Sequence, residues 1–241
     1  FNGKNCDIIG MYISKFDEPC QSFITINKGI VKNLTMQDCY IEGYNPGMAM
    51  IASENYGLIE SCVTFGMLFS NITGYIGGIT SHNEGTLRDC TNNCQIVSKY
   101  GGAGVCHKNL GMIIDCVNRT NLNNMIDDGV SATEGYAGVC RFNYGDIINC
   151  GNYGDIVGGT YRLGGIVARQ HSGGNVINCF NMGDILCTVE DVGMIGHGGI
   201  IGMGSDCNIL NCYNVGNITN KIGKYVGGII GCVGYYGNEN K

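Results

Sequence analysis

The sequence predicts an all-β protein, a parallel β-solenoid of about seven irregular coils, on three observations. A short phrase containing cysteine, asparagine, glycine and isoleucine recurs at fixed offsets, as in "INCGNYGDI", "INCFNMGDI" and "LNCYNVGNI". The recurrence falls every 23 to 34 residues, a period that marks stacked repeat architectures. No stretch of helix length carries a 3.6-residue apolar period.

The phrase is read on seven cysteines: Cys39, Cys62, Cys90, Cys116, Cys150, Cys179 and Cys212. Three residues before them stand Met36, Ile59, Leu87, Ile113, Ile147, Val176 and Ile209. Two residues after them stand Asn92, Asn118, Asn152, Asn181 and Asn214, with Ile41 and Thr64 in the earliest copies. Six residues after them comes Leu68, Ile96, Leu122, Ile156, Ile185 or Ile218, and Asn45 in the first copy, which fits worst. A second phrase precedes each cysteine unit, with Ile79, Val105, Val139, Ile166 and Ile200 as its apolar residue and Ile51 in a weaker early copy. Each unit thus holds three β-like runs, "GGIIG", "GxIxxC" and "GxI", separated by Gly- and Asn-rich corners, because both residues tolerate left-handed dihedrals. Equivalent residues of successive coils then stack about 4.8 Å apart, and no coil buries its apolar face without a neighbour.

Residues 1–46 repeat less clearly and read as one or more divergent coils or a cap. Residues 47–241 read as the repeats proper, truncated at the C-terminal end. Two stretches interrupt the frame as insertions, Asn124 to Glu134 and Cys187 to His197.

Composition narrows the function. The 241 residues include 41 glycines and 2 prolines, and only 14% are charged, for a net charge of −6. There is no Lys/Arg cluster, which argues against nucleic acid and anionic membranes as partners. Apolar runs of four or five residues do not cross a bilayer. The start at Phe1 and the stop in "GYYGNENK" suggest a piece of a longer protein.

The 15 cysteines admit two readings. Those at the repeated offset, Cys62, Cys90, Cys116, Cys150, Cys179 and Cys212, are expected to stack as buried thiols together with the Ile59, Leu87, Ile113, Ile147, Val176 and Ile209 ladder. Off-register cysteines suit disulfides better: Cys6 with Cys20, or Cys94, Cys106, Cys140, Cys187, Cys207 and Cys232 among themselves. Zinc lacks a converging ligand set. Asp127, Asp128, Glu190 and Asp191 in the insertions are the weak calcium candidates, with too few oxygens in sight. The asparagines after the cysteines are expected to bond their amides up and down the rod.

Catalysis by acids needs a cluster on one face, whereas Asp89, Asp115, Asp146, Asp155 and Asp184 are scattered turn-type residues. Asp155 and Asp184 occupy the same offset in adjacent coils, which could bring two carboxylates near each other. No catalytic residue and no cofactor are expected. Among 14 tyrosines, Tyr136, Tyr144, Tyr153, Tyr161 and Tyr213 are the candidates for an outward binding row. Four N-x-[ST] sequons, at Asn33, Asn71, Asn118 and Asn217, matter only in a eukaryotic secretory route.

The consensus GGIxGxNxGxIxNCxNxG, carried by "GGITSHNEGTLRDCTN", "AGVCRFNYGDIINCGN" and "GGIIGMGSDCNILNCYN", resembles the GLUG-type repeat of large bacterial surface proteins, including the non-catalytic part of some immunoglobulin A peptidases. That resemblance covers the chain from about Gly47 onward. It implies an extracellular or cell-surface stalk or adhesive segment. The implied partners are flanking domains of the same protein and, for an adhesive role, a host or bacterial surface glycan or protein.

Overall fold

The computed structural model describes residues 1–15, 21–43, 47–70, 75–98, 100–123, 135–158, 162–188, 196–220 and 225–234. Among these the chain is a β-solenoid of about seven turns with no helix, and every strand pair is parallel. Three sheets run along the rod, of 18, 7 and 8 strands. A representative coil places Gly102–Ala103 in the seven-stranded sheet and Cys106–Asn109 in the eight-stranded one. Met112–Ile114, Val117–Asn118 and Leu122–Asn123 follow in the large sheet.

Five short strands in this coil stand where three runs were read from the sequence, whereas the coil Met48–Ser70 keeps three. The "GGIIG" run divides because a corner falls inside it. At Gly104 the N–H donates to Ala137 O of the next coil, and a Cβ there would lie 2.2 Å from Gly138 O. Only glycine leaves room for that turn.

The interior consists of columns. One runs Val31, Ile59, Leu87, Ile113, Ile147, Val176, Ile209, each paired in register with the next, and all but Ile209 are buried. A second runs Ile41, Leu68, Ile96, Leu122, Ile156, Ile185, Ile218. Along a third, Ile51, Ile79, Val105, Val139, Ile166 and Ile200 are linked by N–H···O bonds of 3.0–3.2 Å from each coil to the next. Each fully buried Val, Leu or Ile contributes about 1.5–3 kcal/mol.

The first copy is corrected by this register. Val31, not Met36, pairs with Ile59, and Leu34, not Cys39, pairs with Cys62. Cys39 lies beside Gly66 instead, after a bulge between Met36 and Cys39. The first step is therefore 28 residues rather than 23, and Ile41 fills the column in which Asn45 fitted poorly. The misreading has a local cause. Asp38 is left-handed (φ 50°), and the Cys39 thiol donates to Gln37 O at 3.2 Å and lies 3.6 Å from Ile8 O. That repeats the local geometry of a column cysteine one turn of backbone too late.

Candidate functional site

Each column cysteine follows a left-handed residue: Ser61, Asp89, Asp115, Asn149, Asn178 and Asn211, with φ between 50° and 55°. Asp and Asn occupy this region at low cost. Turning there directs the thiol inward. Its S–H donates to the carbonyl two residues back, at 3.2 Å for Cys90, Cys116, Cys150 and Cys179. Successive sulfurs are also linked through backbone, Cys150 N–H to Cys179 Sγ and Cys179 N–H to Cys212 Sγ, both at 3.4 Å. Burial pushes the Cys116 and Cys150 thiols well above their ordinary range, so these are neutral packing groups and not nucleophiles.

The off-register cysteines are thiols as well. Cys106 and Cys140 meet in register, yet each donates to its own chain two residues on, to Lys108 O at 3.2 Å and Phe142 O at 3.4 Å. Cys94 is buried and pushed up to about 12 by that burial. Cys20 lies outside the described residues.

The asparagines after the cysteines form one amide ladder. Thr64 Oγ1 donates to Asn92 Oδ1 at 3.0 Å, and the Nδ2–H···Oδ1 links then run Asn92 to Asn118 (2.9 Å), Asn152 (2.8 Å), Asn181 (2.7 Å) and Asn214 (2.7 Å). The same Nδ2 groups of Asn118, Asn152 and Asn181 bond the carbonyl of the residue two further on at 2.7–2.8 Å. Across the interior of each coil this ladder abuts a glycine. A Cβ on Gly78, Gly104, Gly138, Gly165 or Gly199 would sit 2.3–2.4 Å from the Cγ of the facing asparagine. Asn118 is buried in this ladder, which removes it as a glycan acceptor.

A second amide ladder has no assigned role in the sequence reading. Asn27, Asn55, Asn83, Asn109 and Asn143 are linked at 2.7 Å each, ending on Gln170 at 2.8 Å. Its residue is the first asparagine of the GGIxGxNxGxI consensus, so its signal was present. Buried Arg141 and buried His107 and His197 had no such signal.

The acids are spoken for. Asp115 Oδ1 accepts from Asn149, and Asp146 Oδ1 accepts from Asn175 Nδ2 at 2.7 Å. Asp155 Oδ1 accepts the Asp184 N–H at 2.9 Å, and Asp184 Oδ1 accepts the Asn217 N–H at 2.7 Å. The Asp155–Asp184 pair is thus a run of turn caps. Among the described residues no group of three or more His, Cys, Asp and Glu could hold a metal ion. Asp127, Asp128, Glu190 and Asp191 lie outside the described residues.

Of the tyrosine candidates, Tyr144, Tyr153 and Tyr213 are exposed and Tyr136 is not. Tyr136 is wholly buried, because it faces inward in the seven-stranded sheet, and its hydroxyl donates to Ser98 O. Tyr161 lies outside the described residues. Tyr144 is exposed and packs against His171, stacked at 4.0 Å and 8°, and Lys108, whose Nζ is 5.6 Å from the ring centre. Tyr153 and Tyr213 come together through Phe180, at 5.3 and 5.7 Å. Arg119 lies over the Tyr153 ring at 4.8 Å. Tyr213 stacks on Phe180 at 15°, leaving one ring face to solvent. Beside them, where the ladder between Asn93–Gln95 and Arg119–Asn121 is interrupted, an open cleft of about 380 Å³ is lined by Gln95, Arg119, Thr120, Asn121 and Asn123.

With this geometry in view, no family model matches the chain, and no curated protein matches it. Among solved structures, a candidate immunoglobulin A1 protease from Bacteroides ovatus, determined at 1.30 Å, is similar. The superposition covers 97% of this chain and 68% of that one, with a TM-score of 0.56 and 16% identity. The likeness is one of fold. No described helix is long and apolar enough to cross a membrane.

Proposed function

We propose that this chain is a non-catalytic repeat segment of a larger bacterial cell-surface protein, acting as a stalk or adhesive scaffold that holds flanking domains in place. One observation carries the reading: the residues that make the repeat are consumed by stacking. Amides and turn carboxylates bond from coil to coil, and each column thiol is spent on the carbonyl two residues before it. A solenoid built this way supplies length and stiffness, since each coil rests on its neighbours. A fold like that of a candidate immunoglobulin A1 protease, of which this chain covers 68%, supports a part in a longer protein.

The test is replacement. In the full-length protein this segment is exchanged for an unrelated β-solenoid of equal length, and display and activity of the flanking domains are measured. Retention of both supports the scaffold role. Loss of activity with display intact, or hydrolysis of immunoglobulin A1 or a polysaccharide by the isolated segment, defeats it.

A further inference from the structure

The second amide ladder stops at one place. Gln170 pairs with Gly204 in the next coil, so no side chain stands where the sixth amide link would form. Most corner glycines in this chain are compressed against backbone. At Gly204, by contrast, an added Cβ would meet nothing closer than 3.5 Å. A cavity of about 130 Å³ opens there, lined by Arg169, Gln170, His171, Ser172, Met203 and Ser205.

Its walls are unpaired donors. Gln170 is 1% exposed; its Oε1 accepts from Asn143 and its Nε2 donates once, to His171 O at 2.9 Å. An amide NH₂ has two hydrogens, so one is left over. His171 Nε2 is buried without a partner, an arrangement that favours a group that accepts from it. Tyr144 fixes the imidazole plane by stacking. Arg169 has no ion pair among the described residues. Burial, and then the positive charges of Arg169, Arg162 and Lys108, push His171 down to about 4, so the ring is neutral. Asp206, on the neighbouring turn, meets this loop through its backbone carbonyl, which accepts the Gly173 N–H at 3.5 Å. One guanidinium without an ion pair, with spare N–H and O–H groups beside it, suits an anion. The volume is below the roughly 300–1,000 Å³ of pockets that enclose whole small molecules. It fits one charged group.

We propose that the Gly204 gap is a binding site for a single oxyanion group, a sulfate or a carboxylate. Arg169 supplies the charge, and the Gln170 amide, the His171 imidazole and the Ser172 and Ser205 hydroxyls supply hydrogen bonds. The group is either a free inorganic anion or one borne on an acidic polysaccharide. This goes beyond the scaffold reading and does not depend on it, since a plain spacer could carry such a site.

Calorimetric titration of the chain with sodium sulfate, a sulfated heparin hexasaccharide and an oligogalacturonate tests it. At least one ligand is expected to saturate a single site. Arg169→Ala should weaken binding at least ten-fold at unchanged melting temperature. Gly204→Asn, which completes the amide ladder, should abolish binding without loss of stability. Sulfate binding alone assigns the site to a free anion, and oligosaccharide binding lost in both variants assigns it to a polysaccharide. Absence of saturable binding by all three ligands, or binding that survives Gly204→Asn, overturns the proposal.

Discussion

In the N-terminal half of the rod the large sheet runs through Ile30–Gly43, Leu58–Ser70 and Thr91–Ser98, strands of 14, 13 and 8 residues. From Met112 onward no strand of that sheet exceeds 3 residues. The apolar columns are the same in both halves, so burial does not explain the difference. The asparagine does. Thr64 stands in its column in the second of those strands, and Asn92 in the third bonds Cys94 O at a long 3.3 Å. Asn118, Asn152, Asn181 and Asn214 bond the equivalent carbonyl at 2.7–2.8 Å and fold the chain into a corner. The facing position changes in step: Met48 and Ala49 pair with Ile76 and Gly77, which sets Met50 in the glycine column of the coil that has Thr64. Glycine and asparagine are thus two halves of one device, and a coil without the one lacks the other.

The largest test of this comparison is a methyl group. Gly138→Ala would drive Cβ to 2.2 Å from Gly165 O and 2.3 Å from the Asn152 side chain. A clash with backbone cannot be relieved by a rotamer change, and a loss of about 3 kcal/mol or more is expected in urea unfolding. As the control, Gly29→Ala at a different corner, the first of its column, meets nothing within 4 Å, and it should stay within about 0.5 kcal/mol of the parent. Equal effects would break the contrast.

Next comes the amide itself. Asn152 accepts from Asn118 and donates to Asn181 and to Gly154 O. Asn152→Ala leaves buried partners unpaired on both sides and should cost about 2–3 kcal/mol. Thr64→Ala removes one link, to Asn92, and should cost about 1 kcal/mol. Hydrogen exchange at Tyr153 and Gly154 should accelerate in the Asn152 variant, because that corner loses its tie.

Buried histidines set the acid response, and one of them stands in an inward column. The inward column of the seven-stranded sheet holds Met48 and Ile76 early and His197 late. His197 has neither ring nitrogen bonded, and burial pushes it down to about 4. The unfolded chain binds this proton below about pH 6.5 and the folded chain does so only near 4. Stability is therefore full above 6.5 and falls as pH drops toward 4, by up to about 1.4 kcal/mol per pH unit for each such histidine. His197→Leu, which matches Leu163 in the neighbouring coil, should flatten that slope. An unchanged slope would show that the acid loss lies elsewhere, in His107 or His171.

These contrasts bear on what the sequence made visible. The columns of Ile59 and Leu68 were legible because one apolar residue per coil at a fixed offset has one explanation, stacking. Register at Cys39 was not, because a left-handed Asp38 followed by a thiol bonded to Gln37 O writes the same local phrase outside the column. Burial of Tyr136 was equally hidden. It covers the place of Gly102, which pairs with it and has no side chain of its own, a complement between coils that spacing within one coil does not reveal. The anion-site residues are departures from the repeat, and a consensus suppresses departures.

The smallest expected effect asks whether Cys39 belongs to the column energetically as well as geometrically. Cys150 touches column neighbours on both sides: its N–H donates to Cys179 Sγ, and its thiol lies 3.6 Å from Ile113 O of the coil before. Cys39 keeps the thiol contact to the coil before, at Ile8 O, and the thiol bond two residues back, to Gln37 O, but it stands beside Gly66, away from Cys62. Each single change to alanine should cost about 1 kcal/mol. Residues in contact couple, and separated ones add. The double variant Cys150→Ala with Cys179→Ala should deviate from additivity by more than about 0.5 kcal/mol, while Cys39→Ala with Cys62→Ala should add within that margin. Coupling in the second pair would place Cys39 back in the column and would restore the shorter first step of the repeat.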